Sequence, residues 1–206
     1  MIVAVINQKG GVGKSSTAVH LARWLQQKQQ SVLLVDSDAQ ASSSTWAKPL
    51  KIDAVAQTDP NELAENIPDL IAGYDHVVID GAGGLSETTR VILYYAQIAL
   101  VPCQPTALDI HSSGSAVKLI KQAQRFRPDL TGATFISRAV PRTRLAREAK
   151  DVLTAIEGIR HLQTTIYQRQ CIADAFGQGQ TVFEMGAMGE KSAREYDHLF
   201  QEVMAL

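Results

Sequence analysis

The run Ile2-Val3-Ala4-Val5-Ile6 passes through Asn7 into the glycine cluster Gly10-Gly11-Val12-Gly13, and a helical pattern starts directly after it. This order constrains the fold more than any other feature of the chain. A continuous apolar run rich in β-branched residues suits a strand buried on both faces, as in a parallel sheet. The spacing of Ala18, Leu21, Ala22 and Leu25 predicts a helix over Ser15–Gln27. The alternation then repeats. Strands are expected over Ser31–Asp36, Asp75–Asp80, Ile98–Val101 (stopped by Pro102), Ala133–Ser137 and Leu162–Tyr167. Helices are expected over Asp109–Phe126, about Arg144–Ile156 and Glu190–Ala205. Residues 41–75 read as short helices with an edge strand. Strands alternating with helices give an α/β fold with a mainly parallel, twisted sheet and helices on both faces. The length, 206 residues, suits one domain over 1–206, with enough chain to bury a core without disulfides.

Several classes are excluded at once. Hydrophobic residues make up 45% and charged residues 20%, which is no composition for a disordered or fibrous chain. The longest apolar runs, Val32–Val35 and Ile98–Val101, fall far short of the ~20 residues that span a bilayer. The opening residues lack a basic region and a small-residue cleavage site, so they do not read as a signal peptide. Cys103 and Cys171 stand far apart without CxxC spacing, which favours a reducing, cytoplasmic setting.

The glycine cluster carries the chemistry. Gly10-Gly11-Val12-Gly13-Lys14-Ser15 follows a strand and opens a helix, which is the context of a phosphate-binding P-loop. Glycines let several N–H groups turn toward one anion, and the helix N-terminus adds positive potential there. Lys14 is expected to reach the β- and γ-phosphates of a nucleotide and Ser15 to ligate Mg²⁺, with Ser16 alongside. Asp36 and Asp80 each end an apolar strand, so they belong at the carboxyl edge of the sheet, beside the loop. Asp80 has the Walker-B arrangement of an acid that holds Mg²⁺ directly or through water. Asp38 follows two residues after Asp36; either aspartate could instead cap a helix. Gly81-Ala82-Gly83-Gly84 allows a mobile switch loop.

Lys9 has no role in an ordinary P-loop. The heptapeptide Lys9-Gly10-Gly11-Val12-Gly13-Lys14-Ser15 resembles the deviant-Walker ATPases of the ParA/MinD superfamily. That resemblance implies a P-loop NTPase fold, ATP and Mg²⁺ as cofactors, and a homodimer sandwiching two ATPs, with Lys9 contacting nucleotide across the interface. It implies that Asp38 orients the attacking water and that Asp36 supports Mg²⁺ through water, although Ala39 stands where the family has proline. The catalytic residues are then Lys9, Lys14 and Asp38. Phe135-Ile136-Ser137-Arg138 and Gln168 resemble elements that help hold adenine, which adds Ser137, Arg138 and Gln168 to the nucleotide set.

Members of the superfamily differ in what they bind. The C-terminal stripe has no Lys or Arg after Arg194, whereas a membrane-surface helix needs a cationic face; membrane binding is not expected. Cys103 and Cys171 do not match the cluster positions of the nitrogenase iron protein and read as ordinary thiols. The charge is uneven. Before residue 103 there are seven Lys/Arg against ten Asp/Glu, and from 103 onward thirteen against eleven. Arg142, Arg144 and Arg147 cluster, and Arg169, Lys191 and Arg194 follow; by resemblance Arg169 and Lys191 sit where partition relatives hold DNA. The alternative for such a run is a solvated helix face. The net charge of −1 leaves DNA binding to this local patch, doubled by a dimer. The chain starts one residue before strand one, so no helix-turn-helix is expected ahead of it. The expectation is a ParA-like, nucleoid-associated ATPase of the short form. It would bind non-specific DNA and position a plasmid or a protein cargo such as carboxysomes, with an adaptor protein stimulating hydrolysis. The alternatives are a P-loop kinase or ATP-dependent synthetase acting on a small molecule, a membrane-cycling MinD-like ATPase, and a non-hydrolysing scaffold.

Overall fold

The computed structural model describes residues 1–84 and 86–206. The elements follow in the order β1 (Ile2–Val5), α1 (Lys14–Gln27), β2 (Val32–Asp36), α2 (Ser42–Leu50), β3 (Asp53–Ala56), α3 (Pro60–Ala72), β4 (His76–Asp80) and α4 (Glu87–Tyr95). Then come β5 (Ile98–Cys103), α5 (Ala107–Gln124), β6 (Thr131–Ala139), α6 (Arg144–Thr154), β7 (Arg160–Tyr167), α7 (Gln170–Gly177) and α8 (Gly186–Met204). The seven strands form one sheet in the order β3-β2-β4-β1-β5-β6-β7. All neighbours are parallel.

Burial on both sheet faces explains the apolar strands. Along β1, Val3 and Val5 pack toward α1, α2, α7 and α8, together with Leu21, Trp46, Ala175 and Phe200. Ile2 and Ala4 pack the other way, toward α3, α4, α5 and α6, with Leu63, Ile92, Ile120 and Leu153. The two-residue period of a strand divides one continuous run between two cores.

The expected strands and helices are present, with three instructive differences. β5 continues through Pro102 to Cys103 instead of stopping. Leu100 O accepts from Ile6 N at the end of β1, so Pro102, two residues on, faces the same side beyond the end of that strand. The missing N–H falls where the pairing with β1 ends, and the Pro102 carbonyl still accepts from Asn7 Nδ2 at 2.8 Å. A helix that the apolar pattern did not announce, α4, follows the 81–84 glycine segment, and α8 begins at Gly186, four residues before Glu190. Within residues 41–75 the structure has α2, the edge strand β3 and α3. Asp59 caps α3, its side chain accepting from Asn61 N and Glu62 N, with Pro60 as the first helical residue.

Candidate nucleotide site

β1 and α1 are joined by the glycine loop, and every carbonyl from residue 11 to 13 is tied down. Gly11 O accepts from Arg138 Nη1 at 2.5 Å and from Gln104 Nε2 at 3.2 Å. Val12 O accepts from the Ser137 hydroxyl at 2.7 Å. Gly13 O accepts from Thr17 through both N and Oγ1. Gly11 and Gly13 have φ of +76° and +98°, which an L side chain rarely adopts, and a Cβ on Gly13 would come within 3.0 Å of Ser137 Oγ. With the carbonyls held, the loop N–H groups and the N-terminus of α1 are what remains to meet an anion. The loop is therefore preorganised by the ends of β5 and β6.

Lys14 points back into this loop, its Nζ donating to Lys9 O at 3.0 Å. Burial lowers its pKa, while the charges of Asp80 and Asp38 favour the ammonium. Lys9 is partly exposed and its Nζ forms an ion pair with Asp109 Oδ1, in the first turn of α5. Asp109 is buried and also accepts from Thr106 Oγ1 at 2.5 Å. Lys9 is thus held within its own chain, by a residue that the sequence did not single out.

The three carboxylates sit at one edge of the sheet but differ in environment. Asp36 and Asp80 are register neighbours across β2 and β4. Asp36 is fully engaged, with Oδ1 accepting from Asp38 N at 3.1 Å and Oδ2 from Ser44 N at 2.8 Å. It supports the start of α2, where Ala41 at the N-cap offers no side chain. The capping alternative therefore falls on Asp36 and not on Asp38. Asp38 bridges two loops, accepting from Gln40 N at 2.9 Å and from Gly83 N at 3.2 Å. Gly84 N in turn donates to Gln8 O at 3.1 Å. The 81–84 segment is thereby linked to both the carboxylate and the P-loop.

Asp80 is fully buried and neither carboxylate oxygen has a hydrogen-bond partner. Burial pushes its pKa up to about 7, against the nearby Ser15 and Ser43 hydroxyls, which favour the charged form without closing a hydrogen bond on it. A buried, unpaired carboxylate is costly unless something cationic completes it. Hard oxygen donors next to a phosphate cradle fit Mg²⁺, which keeps waters and phosphate oxygens as most of its shell. No cage of three or more His, Cys, Asp or Glu side chains forms among the described residues; an ion resting on phosphate needs none.

A cavity opens beside the loop, lined by Gly13, Ser16, Ser137, Arg138, Gln168 and Tyr196 among others. It brings together the residues that the sequence assigned to the base, and Tyr196, which it did not. Arg138 has φ of +53°, so its backbone is strained in order to aim the side chain at Gly11.

The basic residues divide. Arg142 and Arg147 at the start of α6, and Lys191 on α8, are exposed and form no ion pair among the described residues. Arg144 pairs with Glu148 at 2.6 Å, and Arg194 pairs with Glu190. Arg169 is half-buried in a two-pronged pair with Glu195 at 2.5 and 2.6 Å, over the Tyr167 ring. It faces the cavity beside the P-loop rather than open surface. No helix is long and apolar enough to cross a membrane among the described residues.

Curated proteins to which the chain is similar over almost its full length include a carboxysome distribution protein and a partitioning ATPase. The chain is 27% identical to the maintenance of carboxysome distribution protein A of Halothiobacillus neapolitanus, covering 98% of this chain and 95% of that one. It is 28% identical to the chromosome-partitioning ATPase Soj of Thermus thermophilus, with the same coverage, 98% and 95%. Among solved structures, an McdA–ATP complex from Cyanothece superposes with a TM-score of 0.79 at 14% identity, over 100% of this chain and 96% of that one. MinD of Pyrococcus horikoshii with Mg-ADP gives 0.78 at 19% identity, over 98% and 95%. These structures share the fold. The model of the CobQ/CobB/MinD/ParA nucleotide-binding domain matches residues 3–182, and the chain belongs to that family.

Proposed function

We propose that this chain is a Mg²⁺-dependent ATPase that dimerises around ATP, binds DNA without sequence preference, and positions a plasmid or protein cargo through an adaptor that stimulates hydrolysis. The observation that carries the reading is the pairing of a preorganised phosphate loop, with Lys14 beneath it, and the orphaned carboxylate of Asp80 at the same edge. The full-length likeness to a carboxysome distribution protein and to Soj supports the cargo-positioning part.

In this reading Gly10, Gly11, Val12, Gly13, Ser15 and Ser16 present N–H groups and hydroxyls to the phosphates, and Lys14 neutralises them. Ser15 and Asp80 hold Mg²⁺, which supplies charge neutralisation at the phosphate oxygens when bound. Asp36 acts at one remove, by fixing the β2–α2 loop that carries Asp38. Asp38 orients the attacking water, and its bond to Gly83 N ties that role to the 81–84 segment. Ser137, Arg138 and Gln168 line the base side. Lys9 leaves Asp109 to reach the partner subunit's nucleotide. A ligand shifts an equilibrium only by its differential affinity for the two states, and Lys9 provides that difference.

Exposed Arg142, Arg147 and Lys191 contribute the DNA contacts directly; Arg144, Arg169 and Arg194 must leave carboxylate partners to join them. The test is binding of non-specific double-stranded DNA without nucleotide, with ADP and with ATP, at two salt concentrations. Binding with ATP alone, falling steeply with salt, is expected. Absence of binding in every state would remove the partition reading. Transfer of phosphate to a metabolite, seen in product analysis, would put a small-molecule synthetase in its place.

A further inference from the structure

At the far end of the molecule from the P-loop, α4 and α5 leave an open groove of about 430 Å³ between their last turns. The topology fixes its place. Both helices return from the carboxyl edge of the sheet to its amino edge, α4 leading into β5 and α5 into β6. The nucleotide loop and the 81–84 segment lie at the opposite edge.

The floor is apolar, with Leu93 buried and Leu119 and Ala123 half-buried. Two aromatic side chains stand above it. Phe126 is 83% exposed, the most exposed large apolar residue among those described, and Tyr94 is 61% exposed. Tyr94 is braced from both sides, edge-on to Tyr95 at 5.2 Å and beneath Arg127 at 5.8 Å. Tyr95 is itself anchored by its hydroxyl, which donates to Ala64 O at 3.1 Å. Tyr94 is therefore held in place in advance of any partner, which lowers the ordering cost of binding on its side of the groove. Aromatic residues with arginine are the composition of interface centres.

The charges select the occupant. The two charged residues on the rim are Arg90 and Arg127, and no acid lines the groove. Arg127 is held by Asp129 at 2.6 Å, while Arg90 is exposed and makes no ion pair among the described residues. A second copy docked face to face would bring two arginine-rimmed grooves together with no carboxylate in either lining to meet Arg90. The floor offers nothing to a nucleic acid. We propose that this groove docks a short amphipathic segment of a partner protein, with aliphatic or aromatic anchors for the floor and carboxylates for Arg90. Identifying that partner with the cargo adaptor rests on the function proposed above; the groove and its chemistry do not. The groove lies at the opposite edge of the sheet from the nucleotide loop, so a segment docked in it does not cover that loop.

The probe is a fluorescein-labelled helical peptide of about four turns, with Leu and Phe at i, i+3, i+4 and i+7 and Asp or Glu elsewhere. Its control carries Lys at every acidic position. Anisotropy titration of the full chain should show saturable binding of the acidic peptide, at least about tenfold tighter than the control. Phe126→Ala and Arg90→Glu should each weaken it at least about fivefold, with ATP turnover and DNA binding unchanged. Equal affinity for both peptides, no saturable binding, or indifference to both substitutions would overturn the proposal. Self-association that Phe126→Ala abolishes would overturn it too, by giving the face to a second copy. Loss of ATP-dependent DNA binding in the wild type, with peptide binding intact, would remove the adaptor identification and leave the docking site standing.

Discussion

Replacing Asp80 by Asn should make the Mg²⁺-free chain more stable while removing the Mg²⁺-dependent ATP hydrolysis proposed above. Asp80 is fully buried with both oxygens unpartnered, and burial raises its pKa from 3.8 to about 7. At ~1.4 kcal/mol for each tenfold, holding it ionised in the folded state costs up to about 4 kcal/mol. That figure is already net of the attraction to Lys14, and an Asn side chain still buries a polar amide at the same place. An Asn amide would meet the Ser43 hydroxyl, which itself lacks a partner. We therefore expect a gain of about 1–3 kcal/mol at pH 8, or about 2–10 °C in Tm for a chain of this size.

The pH dependence gives a sharper signature, because a second buried group works in the opposite sense. His20 is fully buried, with Nδ1 2.7 Å from Ser16 O and Nε2 accepting from Val182 N at 3.2 Å. Burial drives its pKa from 6.5 down to about 4. Between those values the unfolded chain takes up a proton at His20 that the folded chain refuses. This contribution to stability is full above pH 6.5 and is lost as pH falls toward 4, by up to about 3 kcal/mol. Asp80 is the reverse case. Its folded pKa lies above its unfolded one, so its contribution is greatest below pH 3.8 and is lost as pH rises through about 7. The two slopes oppose each other from about pH 4 to 6.5. Urea unfolding in EDTA should thus give the wild type a weak net slope from this pair, and Asp80→Asn a stability that rises with pH. The difference between the two proteins should grow from near zero at pH 4 to its full value above pH 7. A variant less stable than wild type at pH 8, or a difference that ignores pH, would refute the reasoning: the carboxylate would then be a satisfied structural group and not one awaiting a cation.

Lys9→Ala should abolish ATP-dependent dimerisation seen by light scattering while leaving nucleotide affinity within a few-fold; an unchanged dimer would end the trans role of Lys9. Asp109→Asn should free Lys9 and lower the protein concentration needed for the ATP dimer several-fold in sedimentation velocity, and a higher threshold would show that Asp109 organises the dimer instead of restraining it. Asp38→Ala should retain ATP and accumulate the dimer, with single-turnover phosphate release as the measure; wild-type turnover would take Asp38 out of the catalytic set. Gly189→Ala should cost about 3 kcal/mol or more in urea unfolding, because its Cβ would lie 2.2 Å from Val182 O, and a near-neutral result would mean that α8 shifts freely against the 181–185 turn.

The glycine loop between β1 and α1 was legible because its signature lies in contiguous residue types. Glycines at fixed spacing, two lysines and a strand before them leave few other structures. Asp36 and Asp80 were legible as a pair for a related reason, since each ends an apolar strand and the parallel register sets them side by side. What the chain did not disclose were partners distant in sequence. Gln104, Ser137 and Arg138 hold loop carbonyls from 93 or more positions away. Asp109 sits 100 positions after Lys9 in an unremarkable first helical turn. Tyr196, on the face of α8 that reads simply as core, stacks on His20 at 4.4 Å and lines the cavity beside the glycine loop. Pro102 misled for a local reason: a proline ends a strand only if its N–H has a partner to lose, and that depends on where the neighbouring strand stops.

The same distinction bears on the basic residues. Counting charge along the chain treats Arg142, Arg144, Arg147, Arg169, Lys191 and Arg194 alike, but the structure divides them into exposed cations without an ion pair among the described residues, cations in exposed i,i+4 pairs, and Arg169 in a half-buried pair. An arginine already paired with a carboxylate must exchange that partner for a phosphate, so its net gain is smaller than that of a free cation. Arg142→Ala and Lys191→Ala should therefore each lower the salt slope of DNA binding by close to one phosphate contact, for all sequences alike. Arg169→Ala should do something else. It leaves the half-buried Glu195 without a cation, its one remaining donor among the described residues being Tyr167 N at 3.3 Å, behind the cavity that Arg169 lines, so nucleotide affinity should fall along with DNA affinity. A salt slope reduced by one contact with nucleotide affinity untouched would place Arg169 on the DNA after all, and would mean that its ion pair with Glu195 opens when the dimer closes.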